Sequence, residues 1–324
     1  MKKVNYTSFN CQETGTTFIQ GIRGINNSSD VYIAGSLVDT DLTYGLLYEG
    51  PLNFNGAEGK WNKLMFPGDN VVNTSCYGPN NLDKIGVQIV GSYKLANDSN
   101  TYGFIYEGPT DGSGTWKQLK PNNGDSKMVF VHSVMGEYAV GNYDTEYYNA
   151  MAFIYNTNTD EFLDIKVDGA YSTTLYGIWY NGGNSYTLSG GCSFEGPTEL
   201  SQGFIFDWNS DTKEASNLAF YQYLGEDVKN IITHFEGITS DDSGGYNLPC
   251  DYVDNDSTGA AFVNVSRNED GTFSKANYKH LKYPLETVKW TSANTAYKNN
   301  ILGVYLLSNE TNDNYIISYN AQII

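Results

Sequence analysis

Apolar residues in this chain come in short alternating runs, each cut off by Gly, Asn, Asp or Ser. Runs rich in Ala, Glu, Lys and Leu, which would mark helices, are almost absent. A period of two places successive side chains on opposite faces of a strand, so the elements predicted are strands joined by tight turns.

The strands recur in a fixed order. One core reads "GLLYEG" at 45, "GFIYEG" at 103, "AFIYNT" at 152, "GFIFDW" at 203, "AFVNVS" at 261 and "YIISYN" at 315. Its anchors Leu46, Phe104, Phe153, Phe204, Phe262 and Ile316 are spaced by about 54 residues on average. Upstream of each lies a run ending in a small residue, such as "VYIAGS" at 31 and "VQIVGS" at 87, and before that a further short run. A fourth follows, as in "KWNKLMFP" at 60 and "WKQLKP" at 116. The unit is therefore four strands, a to d. Four antiparallel strands in a unit of this length predict a β-propeller blade. The expected fold is all-β, one six-bladed β-propeller over 1–324, with blades at 16–71, 72–126, 127–171, 172–229, 230–285 and 286–324 plus 1–15.

The last unit stops after strand c, and the alternation of Val4, Tyr6 and Ser8 with Asn5, Thr7 and Phe9 resembles a d strand. The N-terminal strand is expected to complete the last blade and cover its open edge. The two most alike copies, "YGLLYEGP" from 44 and "YGFIYEGP" from 102, read as architecture. They are strand c with a Gly-Pro exit turn, and Trp61 and Trp116 cover the hairpin.

Composition narrows the partners. Charged residues are 17%, Tyr numbers 27, and the net charge is −18. Such acidity repels phosphate backbones, so neither nucleic acid nor an anionic membrane is an expected partner. Cys11, Cys76, Cys192 and Cys250 are scattered without CxxC or zinc spacing and read as buried free thiols, although their spacing does not exclude one disulfide. The residues after Met1-Lys2-Lys3 lack an apolar core, and no run approaches membrane-spanning length. The expectation is a cytoplasmic monomer.

The order Gly-Ile-Asn, Val-Gly-Ser, Gly-Phe-Ile-Tyr resembles the HAF-type bacterial repeat, named for a His-Ala-Phe core in strand c. That core stands here as Tyr44-Gly45-Leu46, Tyr102-Gly103-Phe104, Met151-Ala152-Phe153, Gln202-Gly203-Phe204 and Ala260-Ala261-Phe262, with another residue in place of His. The resemblance implies a propeller and no particular activity. The repeated Arg, Glu and Trp set of six-bladed fucose-binding lectins is not seen.

Strand a of a propeller lines the central channel. Aligning the strand-a ends brings Arg23, Tyr77, His132, Tyr176, Glu236 and Trp290 to equivalent positions. Their unlike chemistry points to a ligand-binding site at the channel mouth, with His132 as the group titrating near neutrality. The competing reading is a plugged channel in which Arg23 satisfies Glu236. His234 lies two residues before Glu236, shares its face and joins the candidate ligand-binding residues, but so few His make a metal site a poor reading. His280, on an outer strand, is expected at the surface. The b–c loops, joined by the d–a connections, form an acidic face rich in Tyr and Asn. Such a face suits a carbohydrate, peptide or protein ligand. No cofactor is implied, although carboxylate-rich loops are of the kind that holds Ca²⁺. "DNDSTG" at 254 lacks the distal Glu of an EF-hand. No nucleophile motif or phosphate loop occurs. The expected function is non-catalytic binding; the alternative is a hydrolase or lyase using His132, Glu236 and Arg23 at the channel mouth.

Overall fold

The computed structural model describes all residues except 1–2, 53, 83–85, 122–123, 125, 146–148, 195–200, 225–230, 255–256 and 309–313. Val, Ile, Tyr and Phe alternating with Thr, Ser and Gly fit a pleated surface. Among the described residues there is accordingly no α-helix, and a single 3₁₀ turn at Phe54–Gly56.

β1 (Val4–Ser8) is followed by a first antiparallel meander of β2 (Thr16–Gly24), β3 (Asp30–Val38), β4 (Thr43–Pro51) and β5 (Lys60–Leu64). A second runs through β6 (Val71–Leu82), β7 (Gly86–Leu95), β8 (Tyr102–Gly108) and β9 (Thr115–Leu119). Then come β10 (Lys127–Met135), β11 (Tyr138–Asp144), β12 (Ala150–Asn156) and β13 (Phe162–Ile165). Next are β14 (Ser172–Gly182), β15 (Ser185–Ser193), β16 (Ser201–Asn209) and β17 (Ala215–Tyr221). In the following meander β18 (Ile232–Phe235) and β19 (Thr239–Ser240) share the partner β20 (Tyr246–Asp254), which pairs with β21 (Ser257–Val265) and so with β22 (Asn277–Leu281). Finally β23 (Val288–Tyr297), β24 (Asn300–Ser308) and β25 (Asn314–Ile323) take β1 as their fourth strand. Val4 sits opposite Ile323 and Ser8 opposite Tyr319, as the alternation at the N-terminus predicts.

Among the described residues no sheet closes on itself. Among the described residues, strand pairing between meanders is limited to single parallel bridges, Thr43 to Asn73 and Ser201 to Ile232. Packing joins the meanders instead. Ala34 and Leu47 meet Ile89 and Phe104; Val90 and Ile105 meet Val131 and Phe153. Val140 and Ile154 meet Leu175 and Leu188; Ile205 meets Phe235 and Leu248. Phe262 meets Ala293 and Tyr305, and Leu302 meets Ile19, Ile22 and Ile33 of the first meander. Each large apolar side chain so buried contributes about 1.5–3 kcal/mol. The architecture is all-β and propeller-like.

The HAF-like core serves this packing. A side chain on Gly45 would collide with the Cys76 sulfur, and one on Gly203 would press on the Phe235 ring, so the next meander's inner strand can approach only a small residue. The repeated "YEGP" phrase forms a clasp over its hairpin. Tyr48 Oη donates to the Pro51 carbonyl at 2.9 Å, Trp61 Nε1 donates to the Gly56 carbonyl at 2.9 Å, and the two rings lie 4.8 Å apart. Tyr106, Pro109, Trp116 and Gly112 repeat the arrangement, with rings 4.7 Å apart. Gly108 turns the exit at φ 149°, where a Cβ would meet the Gly114 backbone.

In five of the six meanders the innermost strand carries an extra residue near its centre, a β-bulge. The pairing skips Gln20, Tyr77, His132, Tyr176 and Asn294 in β2, β6, β10, β14 and β23. Opposite each bulge stands a glycine: Gly35, Gly91, Gly141, Gly190 and Gly303. A Cβ there would fall on the bulged strand's own carbonyl oxygen, for instance that of Phe18 against Gly35. This is why the preceding runs end in a small residue. The remaining meander has Cys250 at this position, paired with Phe235. Its extra Cβ excludes the tight bulge, and the inner strand breaks into β18 and β19 around Glu236. The Glu236 amide still donates to the Pro249 carbonyl at 2.9 Å, so Glu236 is the equivalent residue.

All four cysteines are free and buried. His280 is exposed on β22, its Nδ1 2.6 Å from the Tyr252 hydroxyl. No helix among the described residues is long and apolar enough to cross a membrane.

Candidate functional site: an open mouth above a closed axis

A bulge turns the extra side chain away from the ladder. Here Tyr77, His132 and Tyr176, from bulges, and Glu236, from the break between β18 and β19, line a space of about 20 Å³ together with Arg23. That is room for about one water. Five of the six residues aligned from sequence are thus brought together. Trp290 is not: it precedes the bulge by four residues, and Asn294 holds the equivalent position. Arg23 lies three residues beyond its own bulge residue, Gln20. Aligning on the residue before a glycine mistook Arg23-Gly24 for Gln20-Gly21. Counting back across the hairpin from Gly35 and Gly303 finds Gln20 and Asn294.

The axial side chains form a polar chain. Tyr77 Oη lies 2.8 Å from Ser92 Oγ, and its ring 5.6 Å from that of His132. His132 Nε2 is 2.9 Å from Asn142 Oδ1, and its ring 4.6 Å from that of Tyr176. Tyr176 stands 6.1 Å from the His234 ring, and His234 Nδ1 lies 4.0 Å from Glu236 Oε1. Asp251, opposite His234 on β20, accepts from Ser292 Oγ at 2.6 Å and from the Ala293 amide at 2.6 Å. Asn294 Nδ2 donates to the Ile19 carbonyl at 2.7 Å, linking the last meander to the first.

Desolvation governs the charges here. Burial pushes His132 down to about 4, against a small opposing effect of Asn142, so it is neutral at physiological pH rather than titrating there. Burial likewise lowers His234. Glu236 is raised well above the usual carboxylate range by burial and by the nearby Asp251 charge. Asp251 is pushed up to about 7 by burial, with Ser292 and Ala293 opposing. Asp251, which the sequence alignment did not single out, is the better anchored of the two carboxyls, since Ser292 and the Ala293 amide both donate to it. Its signal was faint: an Asp directly after the one strand-b residue that is not glycine. The expected satisfaction of Glu236 by Arg23 is not observed. Among the described residues Arg23 makes no ion pair, and its Nη2 donates to the Val134 carbonyl at 3.4 Å.

Above this closed axis the a–b hairpins converge on a mouth of about 690 Å³. Arg23 forms its floor, Trp179, Tyr180 and Tyr297 its aromatic wall, and Asn26, Asn80 and Lys298 lie among the remaining lining residues. Arg23 sits 5.5 Å from the Trp179 ring, and burial lowers it to about 10. Two further cavities, of about 550 and 750 Å³, flank the 241–246 hairpin on the same end. The smaller holds Arg267, whose guanidinium clasps both Asp207 oxygens at 2.6 and 2.8 Å and reaches Tyr246 and Thr187. The acidic loop face expected to carry function is the opposite end. Its segments 146–148, 195–200, 255–256 and 309–313 lie outside the described residues, as do 122–123, 125 and 225–230 of the adjoining connections. Among the described residues no group of three or more His, Cys, Asp or Glu is arranged to hold a metal ion.

No protein-family profile and no curated protein sequence matches the chain, so the HAF likeness stays at the level of short motifs. Solved structures do match in shape. A protein of unknown function from Dyadobacter fermentans superposes with a TM-score of 0.57 at 11% identity, over 99% of this chain and 99% of that one. A subtype N11 neuraminidase-like protein (H18N11, flat-faced bat, Peru) gives 0.52 at 8% identity, over 98% and 93%. At such identities the likeness concerns the fold alone, and it agrees with an all-β, propeller-like molecule.

Proposed function

We propose that the meanders are the blades of a six-bladed ring and that the protein is a non-catalytic binding protein whose ligand enters the axial mouth from the a–b hairpin end. The observation that carries this reading is the contrast between a mouth of about 690 Å³ and an axis of about 20 Å³ directly beneath it. The mouth has the size of a small-ligand site and an aromatic and amide lining. Aromatic rings and amides suit the ring faces and hydroxyls of a carbohydrate, or the backbone of a short peptide. The groups with chemical potential, His132, Glu236 and Asp251, lie at or beside the narrow axis, where no substrate fits.

A glycan and short-peptide screen tests the reading, run on the wild type and on Trp179→Ala. Binding that the substitution abolishes supports it; a blank screen, or binding indifferent to Trp179, counts against it. A second reading, a hydrolase or lyase at the mouth, is supported by one arrangement, His132 and Glu236 lining the axis directly beneath the mouth together with Arg23, which lines both. It requires turnover of a polysaccharide or peptide by the wild type and its loss in Glu236→Gln.

A further inference from the structure

We infer that the mouth is a receptor for a sugar acid, a hydroxylated ring bearing a carboxylate, and that Arg23 is the residue that binds the carboxylate. This rests on the mouth being the binding site, as proposed above.

Arg23 is only 9% exposed, yet it lines the mouth. Of its five N–H donors, Nη2 makes the one bond described, at 3.4 Å, while the buried Nε has no partner. The four ion pairs among the described residues are Lys63–Glu13, Lys117–Asp160, His234–Glu236 and Arg267–Asp207, and none uses Arg23. This is not for want of acids, since the chain carries 37 Asp and Glu against 19 Lys and Arg. Asp242 also lines the mouth, but so does Lys298, which leaves the lining with an excess of positive charge in a strongly negative protein.

A buried, desolvated guanidinium with an unused donor is costly in the free protein, and an incoming anion relieves it. The planar fork matches the two oxygens of a carboxylate. Trp179 holds the fork from one side, leaving the other donors to a ligand. The remaining wall, with Tyr180, Tyr297 and hairpin amides, suits a hydroxylated ring rather than an extended chain, for which a closed funnel offers no exit.

The test is isothermal titration with digalacturonate, with the neutral digalactose of the same size, and with inorganic phosphate, on the wild type, Arg23→Gln, Arg23→Lys and Trp179→Ala. Circular dichroism checks that each variant is folded. The expected result is at least tenfold tighter binding of digalacturonate than of digalactose, a preference erased in Arg23→Gln and only partly restored in Arg23→Lys. Equal binding of the two sugars, lost in Trp179→Ala, overturns the carboxylate inference and leaves the mouth standing. Digalacturonate binding unchanged in both Arg23→Gln and Trp179→Ala overturns the mouth itself. Binding of phosphate alone, or of none of the three, overturns the sugar-acid inference.

Discussion

The chain has two arginines, and the molecule treats them in opposite ways. Arg267, wedged between the fourth and fifth meanders, is clasped by both oxygens of Asp207 and backed by Phe273 at 4.6 Å. Its charge is compensated and its proton held more tightly than usual, chiefly by Asp207. Arg23, at the axis, is more deeply buried and has no acid. Of the axial carboxyls, Glu236 has only His234 at 4.0 Å, an imidazole that burial biases toward its neutral form, and among the described residues Asp251 forms no ion pair. The seam between meanders follows the rule that a buried charge is paired; the axis breaks it. A fold tolerates such a breach where something other than stability is selected, which is why the axis and its mouth, rather than the seam, are the region to test.

The largest effect should come from breaking the compensated pair. Asp207→Ala leaves Arg267 half-buried without its acid, at an expected cost of about 2–4 kcal/mol. Chemical denaturation should record the loss, and an unchanged midpoint would mean the clasp is ornamental.

Next is pH. The folded-state pKa of the acid pair lies above the unfolded value near 4, so the folded protein holds more protons, and stability falls as pH rises through about 7. His132, lowered to about 4, acts oppositely: its contribution rises between about 4 and 6.5 and is complete above that. His234 is lowered too and acts in the same sense. The two effects oppose each other below about 6.5, so the net decline should be clearest as pH rises from about 6.5 through about 7, at about 1 kcal/mol from Asp251. Melting temperatures across that range should show it, and Glu236→Gln should flatten the slope by removing one of the two carboxyls whose folded pKa is raised.

A smaller effect of opposite sign is expected at the mouth. Arg23→Met removes an uncompensated buried cation and should raise stability by about 1–2 kcal/mol, where the same change at Arg267 lowers it. A fall in both variants would erase the contrast between the two arginines. Smallest of all, Cys250→Gly supplies the glycine found opposite the other bulges and should move stability by less than about 1 kcal/mol. Its sign will tell whether the broken inner strand at Glu236 is strained or merely different.

The strands and their order were legible in the sequence because both are local: alternation marks a strand, and the recurring phrase marks the unit. The clasp of Tyr48, Trp61 and Pro51 was legible for the same reason, since its members are close in sequence. The axis was only half legible. A bulge is one extra residue, invisible to periodicity, and it decided whether Gln20 or Arg23, Asn294 or Trp290, is the equivalent member. Asp251 comes near enough to raise Glu236 from a different strand and leaves no spacing to recognise. The pKa of His132 depends on burial by neighbouring meanders, which the composition of its own strand does not report. The position of the mouth at the a–b hairpin end is likewise a property of how the hairpins converge.

The union of β1 with β25 has a consequence for how the molecule is made. Of these strands β1 leaves the ribosome first, yet its partner is the last to emerge. Until then β1 has no ladder. Earlier meanders can fold as they appear, each on the one before, but the final edge stays exposed throughout synthesis. A long-range event therefore waits on β25, and a ribosome stalled before that strand would hold the earlier meanders with β1 still unlatched.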